Sequence, residues 1–493
     1  MDYGFWSVLP PLVAIGLAIR TKQVFIALLF GIWLGWVILS GGNPLTGSLA
    51  TVQGLVEVFQ DEGNTRTIMF SALVGALIAF IQRSGGVEGF IRYISRVVER
   101  LEKQKPGRSQ VTVQLLAFGT GMLIFVESSI SVLTVGALFR PLFDRMGISR
   151  EKLAYLADSS SAPSCILIPF NAWGAYIMGL LAVQGFDAPF ATLVRAFPYN
   201  FYPFLAVAVV LAVVLRNRDY GPMRRAEERV RLTGELLSPN AQPVVDTEVT
   251  SIDPKPGVPL RPLNMLLPLL VMIGMMPLML AFTGWDQVTA GERLTFGGHT
   301  LAAIGQGSGS TSVLVAVLTA LLGAAVLYRA QGLMRSGEMV SLALKGISGL
   351  MPLALLMLLA FAISNVCRAL GTGVYIAEAS RAWLSPGLVP AIVFMVSCLI
   401  AFSTGTSWGT FAIMIPIAVP VAQVLGTDPH VAIAAALGGG IFGDHCSPIS
   451  DTTILSSMAS ATDHIDHVKT QLPYALVAGG LTVGGYLVLG FFG

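Results

Sequence analysis

The sequence predicts an all-α polytopic membrane protein made of two inverted-topology repeats, each holding a re-entrant hairpin and a broken transmembrane helix. Composition is the first observation: 54% of the 493 residues are hydrophobic and only 12% are charged, with mean hydropathy +0.73. A soluble domain carries about a quarter charged residues. The second is that apolar runs close to the roughly 17–25 residues that cross a bilayer recur along the chain. The third is that both halves repeat one order of features, copy to copy about 280 residues apart, the mark of an internal duplication.

In chain order, the run from Phe5 to Ile19 has no basic segment before it and stops at Arg20 and Lys22. It therefore reads as a first span and not as a cleaved signal peptide. Further spans centre on Phe30 and Leu73, and then the pattern changes. Residues 111–145 form two short apolar arms around the polar tip "FVESSIS" (Phe125 to Ser131). Such a turn is tolerated at membrane depth only inside protein or facing water, so it reads as a re-entrant hairpin. A crossing segment near Ile168 follows, interrupted by "DSSSAP" (Asp158 to Pro163), and a last span centres on Ala208. The second half repeats this order. Spans centre on Leu270, Leu318 and Leu356, and a hairpin over 387–425 has the tip "FSTGTSWG" (Phe402 to Gly409). An interrupted segment near Ala435 and a final span near Val483 complete it.

Local similarities bind the copies. "FIQRSGGV" (Phe80 to Val87) resembles "ISNVCRALGTGV" (Ile363 to Val374), and "DSSSAP" matches "GDHCSP" (Gly443 to Pro448). Each half has an odd number of full crossings, five, so the copies enter the membrane upside down relative to each other. The expected division is a first repeat over 1–216, a polar, proline-bearing cytoplasmic linker over 217–262, and a second repeat over 263–493. Inverted repeats with paired broken helices point to a secondary transporter whose site lies at the repeat interface near mid-membrane.

Charge sets the orientation. With the amino terminus outside, the predicted inner segments hold about 25 of the 30 Lys and Arg, as the positive-inside rule requires. Arg66, Arg195, Arg293, Arg368 and Arg381 are the exceptions. The basic, amphipathic run from Val87 to Leu101 is expected to lie on the inner surface of the cell membrane against anionic lipid. A net charge of +2 gives no reason to expect nucleic acid as a partner. The four cysteines show neither metal-finger nor disulfide spacing. "GTSWG" (Gly405 to Gly409) fits a hydrolase nucleophile pattern, but its context is a hairpin tip and not a strand, turn and helix, so no enzyme is expected. "DHIDH" (Asp463 to His467) reads as the solvated end of a span.

The densest polar stretch is "GDHCSPISDTT" (Gly443 to Thr453), within the second interrupted segment. Gly438, Gly439 and Gly440 before it, and Pro448 inside it, are expected to weaken the helix and free carbonyls. Asp444, Ser447, Asp451 and Thr452 add side-chain oxygens, with Ser450 and Thr453 beside them. A small hard cation wants several oxygens and negative charge, and intramembrane acids are rare and mostly functional. The matching break supplies Asp158 and Ser159, the first tip Glu127, and the second tip Thr404 and Thr406. Burial favours the protonated form of a carboxylate and a nearby cation the ionised form, so one acid can bind either but not both. That competition suffices for exchange. His445 either shares the proton work or orients Asp444. The extra polar groups, His445, Asn171, Ser128, Ser129 and Ser407, suit an organic solute instead, with Trp173 and Trp408 lining it.

At "GGGIFGDHCSPISDTTILSSMAS" (Gly438 to Ser460) the chain resembles the NhaC-type sodium/proton antiporter family, and the duplicated plan resembles the wider ion-transporter superfamily. The resemblance implies Na+ and H+ as the transported ions, no cofactor, a homodimer, and a mobile transport domain moving like an elevator against a scaffold. It carries Asp444, Ser447, Asp451 and Thr452 over as cation ligands. Similar proteins are thought to exchange malate for lactate or to carry amino acids with sodium, so a coupled carrier of a small organic anion or amino acid is the alternative.

Overall fold

The computed structural model describes residues 3–21, 23–90, 92–93, 96, 109–125, 128–239, 241–243, 254–288, 296–380 and 385–492. Among these the fold is all helical, with no strand beyond an isolated bridge between Pro243 and Asp463. The helices of the first half are α1 (Leu9–Thr21), α2 (Val24–Leu39), α3 (Pro44–Val58), α4 (Glu62–Arg83), α5 (Ser109–Leu123), α6 (Ser128–Met146), α7 (Arg150–Ser159), α8 (Ala162–Cys165), α9 (Ala172–Val183), α10 (Pro189–Ala196) and α11 (Phe201–Arg216). After α12 (Gly221–Thr233) come α13 (Leu263–Gly284), α14 (Phe296–Gln306), α15 (Gly309–Ala330), α16 (Ser336–Leu370), α17 (Thr372–Ser380), α18 (Val389–Thr404), α19 (Ser407–Leu425), α20 (Pro429–Cys446), α21 (Asp451–Ser460) and α22 (His464–Phe492).

Eight of the described helices are long and apolar enough to cross a membrane. The pair α2 and α3, bent by 120°, adds a ninth if it is one span. Large apolar side chains such as Leu45, Leu49, Leu322 and Val326 stand exposed, which suits hydrocarbon and not water. Pro44 opens α3 at its first position, where a missing N–H costs nothing, and the Asn43 side chain caps it. The α3 helix therefore folds back directly after α2, a turn the hydropathy pattern alone does not mark.

Both hairpins are helix pairs, but the arms of the second are not short: α18 and α19 are each long and apolar enough to cross and are two of the eight. In the first, α5 and α6 flank the tip, of which residues 126–127 lie outside the described residues; Glu127 is one of them. In the second, Gly405 turns the chain at φ +68° between α18 and α19, and Thr406 caps α19. The first hairpin packs on α7 and on α21, the front half of one interrupted segment and the back half of the other. The second packs on α20 and reaches α9. The interrupted segments are thus held in place by the hairpins.

The three glycines before the polar stretch do not loosen the helix. Gly438, Gly439 and Gly440 all lie within α20, and the interruption falls later, between Cys446 and Asp451. Glycine serves close approach here. A Cβ on Gly439 would come 2.4 Å from the Phe394 carbonyl oxygen, and one on Gly443 2.3 Å from the Phe402 nitrogen. Bare backbone lets the hairpin arm α18 lie directly against α20. Ser447 is extended, at φ −76° and ψ 134°, as a residue before proline prefers.

Part of the expected linker is ordered on the bundle. The α12 helix packs on α7 and α22. Arg229 holds the buried Glu151 with Nη2 at 2.9 and 3.1 Å from its two oxygens. Glu227 accepts from both the backbone N–H (3.0 Å) and the hydroxyl (2.6 Å) of Ser149, the residue that caps α7. Past residues 244–253, which are outside the described set, Lys255 joins Glu338 at the start of α16 (2.8 Å).

Candidate functional site

The second interrupted segment and the second hairpin tip meet at Asp444. This residue, 2% exposed, lies in the last turn of α20. Its Oδ2 accepts from the hydroxyl of Ser407, the first residue of α19, at 2.7 Å. Its Oδ1 accepts from Ser450, in the unwound stretch, at 2.6 Å, and the Ser450 oxygen lies 3.1 Å from that of Thr452. Ser447 donates to the Phe402 carbonyl of α18 at 2.6 Å, fixing the unwound stretch to the hairpin arm. A carboxylate and several hydroxyls, all buried, therefore share one spot.

Asp158 lies in the α7 half of the first interrupted segment and is fully buried. Gln471 of α22 donates to its Oδ2 at 2.7 Å, Thr453 of α21 at 3.2 Å, and the ring of His467, also of α22, stands 3.4 Å away. The Thr453 hydroxyl is also 3.3 Å from the main-chain oxygen of Asp444, so one residue touches both acids' segments. His445 has its ring nitrogens against Ser159 (2.9 Å) and Tyr202 of α11 (2.8 Å). A neutral imidazole offers one donor and one acceptor, and these two contacts use both. Its ring therefore joins α7 to α11 and does not orient the Asp444 carboxylate.

Most of the remaining candidates have structural partners of their own. The Thr404 hydroxyl bonds the Ile400 carbonyl of its own helix (2.8 Å), and the Thr406 side chain caps α19. Asn171 caps α9 through Gly174 (3.1 Å) and donates to the carbonyls of Cys165 (2.8 Å) and Phe125 (2.9 Å). It thereby ties the first tip to the first interruption. Ser128 is buried beside that tip, while the side chain of Ser129 lies outside the described residues. Thr452 is buried, but Asp451 is exposed at the first position of α21, with its Oδ1 accepting from the Thr452 N–H at 2.8 Å. Trp173 and Trp408 do meet, with ring centroids 4.9 Å apart, and Tyr176 donates to the Trp408 carbonyl at 3.0 Å.

Residues 164–491 match the Na+/H+ antiporter family. The chain belongs to the Na+/H+ antiporter family. A protein of Haemophilus influenzae with no stated function is 31% identical over 99% of this chain and 91% of its own. The malate-2H+/Na+-lactate antiporter of Bacillus subtilis is 28% identical, over 26% of this chain and 31% of its own. In fold, the YdaH transporter of Alcanivorax borkumensis superposes over 95% of this chain and 98% of its own, with TM-score 0.56 and 15% identity. The family and the fold are those of transporters, so the chain is a multi-pass secondary transporter and not an enzyme.

Against that identity, one reading of the sequence needs correction. "DHIDH" is not merely a solvated helix end. His467 is fully buried beside Asp158, and His464 contacts the Pro448 carbonyl (2.6 Å) and Ser457 (3.0 Å). Tyr202, His467 and Gln471 are the site neighbours that sequence reasoning passed over. The spacing held a partial signal for the last two: four residues apart, they share one face of α22, whose first turns also carry His464, Asp466, Lys469 and Thr470.

Proposed function

We propose that this antiporter-family member exchanges cytoplasmic Na+ for external H+ at shared carboxylates, Asp444 foremost. The observation that carries this is the Asp444 carboxylate, enclosed by hydroxyls from a hairpin tip and a helix interruption. Hydroxyl groups rotate, so Ser407 and Ser450 can donate to the ion-free carboxylate or turn lone pairs to a cation. The end of α20 adds partial negative charge. Ser447, Thr452, Asp158 and Ser159 complete the proposed oxygen set, with Asp451, Thr404 and Thr406 at its margin; Glu127 stays a candidate from its place in the sequence alone. A proton on the carboxylate and a cation beside it exclude each other, and an inward proton gradient then drives Na+ out.

In this reading the segments over 1–216 and 263–493 are inverted repeats, the amino terminus is outside, and the protein works as a homodimer in the cell membrane. Hairpins and interrupted segments would move together like an elevator, a reading supported by their mutual packing. A second reading is favoured by the likeness to a malate-2H+/Na+-lactate antiporter and by the paired rings of Trp173 and Trp408: a carrier of a small organic anion or amino acid coupled to Na+ or H+. Proteoliposomes with an internal pH dye separate the two. In the first reading a Na+ gradient alone moves protons. Proton movement that needs added malate, lactate or an amino acid establishes the second.

A further inference from the structure

The last helix contributes a residue that neither the polar motif nor the hairpins contain. Gln471 is fully buried, and its amide nitrogen donates at once to Asp158 Oδ2 at 2.7 Å and to the main-chain oxygen of His445. One side chain thus joins the carboxylate of the first interrupted segment to the end of the helix that carries Asp444. Its other end is open: Gln471 Oε1 is buried with no hydrogen-bond partner among the described residues, and so is Asp158 Oδ1. A buried acceptor left unfilled is costly, so such oxygens normally hold water or an ion. Here two belong to residues already joined by a hydrogen bond, one of them a carboxylate. Carboxylate and amide oxygens are hard ligands of the kind small cations take.

We propose that Gln471 is a positioning residue for Asp158, and that the pair offers its unfilled oxygens to the transported monovalent cation. The proposal rests on the Na+/H+ reading above. The amide pins Oδ2 from one side, which leaves Oδ1 to face the ion. Gln471 Oε1 is the second oxygen the pair supplies. Because α22 lies outside both hairpins and both interrupted segments, the residue also links ion occupancy to the packing of that helix.

The test uses the purified full chain. It measures Na+-dependent thermal stabilisation in detergent and the Na+ half-saturation and maximal rate of proton movement in proteoliposomes. Gln471→Glu places two carboxylates in contact and Asp158→Asn removes the charge; each is expected to raise the Na+ half-saturation at least about tenfold. The double variant Asp158→Asn/Gln471→Glu exchanges amide and carboxylate while keeping one of each, and should return to within about threefold of wild type. Gln471→Leu, similar in volume, should raise the half-saturation as the single variants do, with the unfolding midpoint confirming that the protein is folded. A double variant no better than the worse single, or a Gln471→Leu protein with wild-type half-saturation, overturns the proposal. Wild-type protein showing neither Na+-driven proton movement nor Na+ stabilisation overturns the functional reading itself, and this inference with it.

Discussion

Replacing Asp444 by asparagine keeps the shape of the side chain and removes its charge. Both oxygens of the native carboxylate are within hydrogen-bond reach of hydroxyls, at 2.7 Å from Ser407 and 2.6 Å from Ser450. Those hydroxyls can turn to accept from the new amide, so the fold should tolerate the change. The ion should not. Unit charges about 4 Å apart interact by about 4 kcal/mol at an effective dielectric constant near 20. Each 1.4 kcal/mol is tenfold in affinity, so losing that term weakens Na+ binding by about 1000-fold. The asparagine oxygen remains as a neutral ligand, which sets the expectation for Asp444→Asn at a loss of at least about 100-fold. Dye-reported proton movement in proteoliposomes, titrated with Na+, reads this directly, with unfolding midpoints confirming that the variant is folded. A folded Asp444→Asn protein whose half-saturation stays within about threefold of wild type would refute the placement of the ion at this carboxylate.

Three further outcomes follow from other parts of the molecule. Gly405→Ala puts a Cβ where φ is +68° and where Ile449 O would lie 2.5 Å away; it should lose about 1–3 kcal/mol, seen as a lower unfolding midpoint, and an unchanged midpoint would contradict the tip geometry. Arg229→Ala strands the buried Glu151 and should cost about 3–5 kcal/mol, with trypsin cutting near α12 sooner than in wild type; equal cutting rates would mean that α12 is not held by this pair. A cysteine introduced as Arg225→Cys on the exposed face of α12 should react with an impermeant maleimide in inside-out vesicles but not in right-side-out ones, and the opposite pattern would reverse the proposed orientation.

Much of the architecture is legible in the sequence because local composition dictates it. Twenty-odd apolar residues can only be a helix in hydrocarbon, where every backbone group must find a partner within its own segment. The hairpins and interruptions show for the same reason in reverse: "FSTGTSWG" and "GDHCSPISDTT" break apolar runs with groups that hydrocarbon rejects. The α3 fold-back, the α14 helix and the ordered α12 helix are less visible, since a turn at Asn43 and a polar amphipathic helix leave the overall hydropathy profile almost unchanged.

The sequence by itself determined the class of protein, the polar breaks and the candidacy of Asp444, because these depend on residue type and near neighbours. Tertiary structure alone decided which polar groups meet. Thr453, Gln471 and His467 reach Asp158 from about 300 residues away, and Tyr202 reaches His445 across 243 positions. Tertiary structure also turned three glycines from presumed hinges into contact surfaces, and separated buried Asp444 from exposed Asp451 seven residues on. No local rule encodes such choices, since they depend on which helix faces are pressed together and which oxygens are left without a partner once packing is complete.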